Sequence, residues 1–226
     1  MKIPYFLKNH IADSERENFE TDLVQDNLRR GKTLAVVTIG FETVLIIINL
    51  VTLILKVDNR FAFDAYLVMY SIMIMINIAY LLVIKKFNDR NKIYEKKKQL
   101  ELFLIGYITF MMVWGSVVSL MDQRLYGQLM TFMINMIVCS VVYLLDNKKI
   151  IIPYVTSVLI LTLALPYCQN SSDVLIGHYV NLFVFIIISW LASRIIYHNY
   201  CENFISRILL NKSNSLLEKE IEENKK

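Results

Sequence analysis

The stretch "SSDVLIGHYVNLFVFIIISWLASRIIYHNYCENF", residues 171–204, decides the fold. Residues 174–197 are predominantly apolar, and an apolar run of about 18 residues or more reads as a membrane-crossing helix. The stretch opens with Asp173, His178 and Asn181 and carries Trp190 and Arg194 near its end. Aromatic and long basic side chains suit the headgroup level there. The pattern then continues into polar residues, with no glycine or proline to stop it. A helix that crosses the bilayer and runs on into water is predicted.

The remaining chain repeats the first half of that pattern. Of 226 residues, 56% are hydrophobic, and there are only six glycines and three prolines. Mean hydropathy is +0.46. Apolar runs cover residues 33–55, 65–84, 100–121, 127–145 and 150–168. With 174–197 they make six spans, joined by short loops that favour antiparallel neighbours in one bundle. The predicted class is all-α: a polytopic six-helix transmembrane bundle with a C-terminal cytoplasmic signalling helix. Residues 1–32 form a cytoplasmic N-terminal segment, 33–198 the membrane domain and 199–226 a linker helix.

Charge sets the orientation. Net charge is +4, but the bases are unevenly shared. Lys2, Lys8, Arg29, Arg30 and Lys32 fall on one side, as do Lys85, Lys86, Lys96, Lys97, Lys98, Lys148 and Lys149. The other side has Lys56, Arg60 and Arg124. The positive-inside rule then puts both termini in the cytoplasm. No cleavable signal peptide is expected, since residues 1–30 lack a short apolar core and a small-residue cleavage site. Ser14 followed by Glu17 is a capping-box signature. Phe19, Leu23 and Leu28 behind it fit an amphipathic helix on the inner leaflet.

Ionisable and amide groups inside a span are costly and mark sites or structural contacts. Glu42, Asn77 and Asn135 fall near the centres of their spans and form a candidate polar layer. A protonated Glu42 sharing a hydrogen bond with Asn77 or Asn135 is expected. Stripes at helical spacing accompany them: Thr38, Glu42, Leu45, Asn49 and Thr52 in the first span, and Tyr66, Tyr70, Met73, Asn77 and Tyr80 in the second. A second layer, toward the outside, gathers Asn49, Asp122, Tyr126, Gln128, His178 and Asn181. These supply donors, acceptors and rings for a small ligand.

Other chemistries are not indicated. Cys139, Cys168 and Cys201 have no metal-type spacing, and His178 has no second histidine within two turns. No metal or cofactor is expected, nor a nucleic-acid partner. No HExxH, GxSxG, P-loop or GxGxxG motif occurs. In the tail, Leu210 and Leu217, with Ile221, fit a short heptad seam, which implies a homodimer.

The chain resembles the six-helix N-terminal membrane region of many bacterial GGDEF-type diguanylate cyclases, and of some histidine kinases, especially in Firmicutes. The likeness rests on "DQRLYGQ" (122–128), "PYCQNSSDVLIGHYVN" (166–181) and "SWLASRIIY" (189–197). It implies a sensory input module; such regions are followed by an output domain after a linker of the "LEKEIEENKK" kind (217–226), absent here, so that the chain is either part of a longer protein or a stand-alone module. The expected function is detection of an unknown small ligand or membrane signal, relayed through the sixth span to a dimeric coiled coil. The alternative is a small transporter or channel with Glu42 as its proton or cation site. A structural anchor whose polar residues only pack is the third reading.

Overall fold

The computed structural model describes residues 11–54, 63–87, 89–123 and 125–225. Lys2, Lys8, Lys56, Arg60 and Arg124 lie outside the described residues. Every regular element among those described is a helix. They are α1 (Asp13–Ile54), α2 (Phe63–Lys86), α3 (Arg90–Glu95), α4 (Lys97–Gln123), α5 (Met130–Val142), α6 (Ile151–Cys168) and α7 (Ser172–Glu223). Five of them, α1, α2, α4, α6 and α7, are long and apolar enough to cross a bilayer. The architecture is that of an all-α membrane protein.

Two helices are longer than the apolar runs inside them. α1 passes without a break from its polar first half into its apolar second half. Its residues Phe19, Leu23 and Leu28 are buried. They face protein rather than a leaflet: the Phe19 ring meets Tyr197, Tyr200 and Phe204 of α7 at 6.5, 5.8 and 5.1 Å. α7 runs for 52 residues, about 78 Å at helical rise. Ser171 caps its start, accepting from the Val174 N–H.

α5 is shorter than the apolar stretch around it. Its 13 residues rise about 20 Å, less than the ~30 Å of a hydrocarbon core. At its start the chain first has to close α4. Gly127 takes φ +60°, a left-handed conformation that suits glycine. With the Tyr126 N–H it caps the Asp122 carbonyl, at 3.1 and 2.7 Å. At the other end of α5, Tyr143 turns extended. The side-chain amide of Asn27 then replaces the helical partners of Leu144. It donates to the Leu144 carbonyl at 2.9 Å and accepts from the Leu144 N–H at 2.8 Å.

The segment from 125 to 149 nonetheless returns the full height of the bundle. Lys149, just before α6, pairs with Glu101 in the first turns of α4. At the opposite end Gln169, just after α6, donates to Gln123 at the end of α4, 3.2 Å away. α4 and α6 therefore run parallel, side by side, and α5 runs back against α4 and α7. The two ends of the bundle are named below by Asp122 and Lys149.

Near the Lys149 end the packing is tightest at Gly31. A Cβ there would stand 2.0 Å from the Tyr80 hydroxyl and 2.8 Å from that of Tyr143. Tyr80 cannot swing clear, because its ring stacks on Tyr107 at 4.0 Å and on Phe103 at 5.5 Å. Arg194 of α7 is buried, with 1% of its surface exposed. It donates to Asn147 and to the Leu145 carbonyl. The loop between α5 and α6 is thus held by Asn27 from α1 and by Arg194 from α7.

Candidate ligand cavity

α1, α2, α4 and α5 do not close on one another throughout. Between them lies a cavity of about 480 Å³. Its walls are mostly apolar, with Met73, Met111 and Val118 among them. Val37, Phe41, Met130 and Ile134 also line it and are each more than half exposed. They form a rim between α1 and α5, on a face that lipid covers in a bilayer.

Two polar groups in this cavity lack partners. Glu42 is 2% exposed and its Oε2 makes no hydrogen bond. Trp114 is 8% exposed and its indole N–H makes none either. The expected bond from Glu42 to Asn77 or Asn135 is not made. Asn77 donates to the Met73 carbonyl at 2.8 Å and accepts from the Tyr107 hydroxyl at 2.6 Å. Asn135 donates to the Met111 carbonyl and accepts from Cys139. Both amides are occupied by protein, and the carboxyl faces the cavity. A buried polar atom without a partner forfeits about 1–3 kcal/mol, so a bound molecule that bonds both groups recovers it.

At the Asp122 end the cavity closes on a hydrogen-bonded set. Asp122 accepts from the Tyr66 hydroxyl at 2.7 Å and from Thr131 at 3.1 Å. The neighbouring residue, Gln123, faces the other way. Its Oε1 meets the His178 Nε2 of α7 at 2.9 Å and its amide donates to the Gln128 carbonyl at 2.6 Å. One turn of α4 therefore touches the cavity with Asp122 and α7 with Gln123.

The six residues expected at a ligand site are not gathered in one place. Asp122 lines the cavity. Asn49 is half-buried and lies outside the cavity lining. His178 is buried against Gln123, outside the cavity lining. Tyr126, Gln128 and Asn181 are exposed. Trp114 was not singled out from sequence, where an aromatic in an apolar span gives no sign of which way it points. Among the described residues no cluster of three or more His, Cys, Asp or Glu side chains is placed to hold a metal. Scans against protein-family models, curated proteins and solved structures find no match to this chain.

Proposed function

We propose that the chain is a membrane-embedded input module that senses a small ligand in the Glu42–Trp114 cavity and reports it through α7. The observation that carries this reading is the continuity of α7. One helix holds His178 on Gln123 at the Asp122 end and extends to Glu223 beyond the bundle. Ligand contact with Asp122 or its partners biases the last turn of α4, and Gln123 passes that bias to α7 without any intervening loop.

In this reading the chain crosses a bacterial cell membrane six times, with both termini in the cytoplasm. The sixth crossing is α5 with its flanks, whose residues Leu129, Tyr143, Leu144 and Leu145 are buried against the bundle. The tail forms a dimeric seam. Leu210, Leu217 and Ile221 are each more than half exposed in the single chain, and a short coiled coil gives them cover. The output is a cytoplasmic domain, of the diguanylate cyclase kind that the resemblance implies, and the chain itself performs regulation rather than catalysis.

Disulfide crosslinking in membrane vesicles tests this. Cysteine at Leu217 is expected to crosslink between protomers faster than cysteine at Lys219, which faces away from the seam. Gln123→Ala is expected to change the Leu217 rate at least about twofold. Equal rates at the two positions reject the seam, and an unchanged rate in the Gln123 variant rejects the relay. The unpartnered Glu42 also favours a second reading, a proton or cation carrier. Uptake by proteoliposomes that Glu42→Gln abolishes supports that reading over the sensor.

A further inference from the structure

A second cleft lies outside everything above. It sits between the Lys149-end halves of α1 and α2 and the short α3, with a volume of about 660 Å³. Three bases line it, Arg29 and Lys32 from α1 and Lys85 from α2, and all three are exposed. None makes an ion pair among the described residues. Of the acids in the preceding turns, Asp22 pairs with Arg90 and Glu20 with Lys97, each at 2.8 Å, and Asp26 makes no ion pair among the described residues and does not line the cleft. The rest of the lining is largely apolar: Leu28, Val36, Leu81, Ile84, Phe87 and Ile93.

The place of these bases along the chain matters as much as their number. Arg29 and Lys32 immediately precede the first apolar run, and Lys85 immediately follows the second. The cleft therefore lies at the level where a bilayer changes from headgroup to acyl chain. Three unpaired cations over an apolar floor at that level match a phosphodiester with hydrocarbon attached. A free anion would satisfy the bases and leave the floor wet. A zwitterionic lipid would bring its own cation to a site that already has three.

We infer that the Arg29–Lys32–Lys85 cleft is a binding site for an anionic phospholipid. The phosphate lies among the three bases, and an acyl chain descends along Val36 and Leu81. Phosphate is the shared chemistry of a lipid headgroup and a free anion, and the test separates them.

The full chain is purified in mild detergent and offered phosphatidylglycerol, phosphatidylcholine of the same chain length, or inorganic phosphate. Retained lipid is counted by native mass spectrometry. Phosphatidylglycerol is expected to bind at least about tenfold tighter than phosphatidylcholine, given about 1 kcal/mol for each base near the surface. The triple variant Arg29→Gln, Lys32→Gln, Lys85→Gln is expected to lose that preference. The charge-matched control Lys98→Gln, Lys148→Gln, Arg207→Gln is expected to keep it, as is Arg29→Lys, Lys32→Arg, Lys85→Arg. Should the triple variant fail to fold, Lys85→Gln alone is expected to weaken phosphatidylglycerol about fivefold. Equal binding of the two lipids overturns the inference, as does wild-type affinity in the Gln variants or an equal loss in the control. Phosphatidylglycerol displaced by millimolar inorganic phosphate assigns the cleft to a free anion and overturns the lipid.

Discussion

Gly31 offers the sharpest test of the packing. In Gly31→Ala the new Cβ falls 2.0 Å from the Tyr80 hydroxyl, well over 1 Å inside an ordinary contact. The hydroxyl is the end of a ring that is 1% exposed and stacked at 4.0 Å on Tyr107, so relief requires α1 and α2 to move apart. Overpacking of a tight core costs about 1–3 kcal/mol, and the depth of this overlap puts the expected loss at ~2–3 kcal/mol. For a chain of this size that lowers the melting temperature by about 4–12 °C. Cys139 and Cys201 are buried, so a thiol-reactive dye reports unfolding in detergent, with Cys168 as the native-state background. The clash is with one oxygen, and this makes the reasoning refutable. Tyr80→Phe alone is expected to cost under about 1 kcal/mol, since that hydroxyl makes no hydrogen bond of ordinary geometry. Tyr80→Phe combined with Gly31→Ala is expected to regain most of the loss, though the Tyr143 hydroxyl at 2.8 Å leaves a remainder. A Gly31→Ala chain that melts with the wild type, or a double variant no better than Gly31→Ala, refutes the account.

Three further outcomes are expected. Asn27→Ala strips both partners from the backbone of Leu144, which is 1% exposed, and costs about 2–4 kcal/mol by the same dye assay. Glu42→Gln keeps the shape of a side chain whose Oε2 has no partner, so its melting temperature stays within about 4 °C of wild type. At Glu20, burial works against the charge, but the Lys97 ammonium at 2.8 Å, with Lys149 and Arg16 beyond it, holds the carboxyl below its ordinary 4.5. A carboxyl depressed in the folded state stabilises it fully above the unfolded value, and that contribution is lost as pH falls below 4.5 through the folded value. Lys97→Met is therefore expected to flatten the acid side of the stability profile, and an unchanged profile counts against the pair.

Five of the spans were legible because an apolar run of that length has few other fates. The stripes inside them were legible too. Of the faces read from spacing, Thr38, Glu42 and Leu45 in the first and Tyr66, Tyr70 and Met73 in the second line the cavity, whereas Asn49, Thr52, Asn77 and Tyr80 of the same stripes do not. Spacing does not say which face meets which. Two asparagines at the depth of Glu42 looked like its partners, yet each is engaged by its own helix and by α4. His178 and Asn181, three residues apart, looked like one site, but α7 buries the first and exposes the second. The ends of α5 were hidden for another reason. They depend on an amide more than a hundred residues away, Asn27, which supplies the hydrogen bonds that a longer helix would have supplied itself. The continuity of α1 through residue 32 is a case of composition misleading, because a polar stretch beside an apolar one invites a boundary that the backbone does not make.

The grip of Phe19 on Tyr200 and Phe204 has a mechanical consequence. Phe204 is the last buried residue of α7, while the helix continues to Glu223, about 28 Å further. The aromatic cluster is then a fulcrum and the exposed tail a lever arm. A tilt of about 5° at the fulcrum, small enough to pass within the bundle as ordinary thermal adjustment, swings the tip by ~2–3 Å. That is half the spacing between neighbouring turns of a helix, enough to disengage one side chain from the gap it fills on a facing helix. The stiffness of α7 therefore amplifies displacement: the farther along the tail a partner is seated, the smaller the movement inside the membrane needed to unseat it.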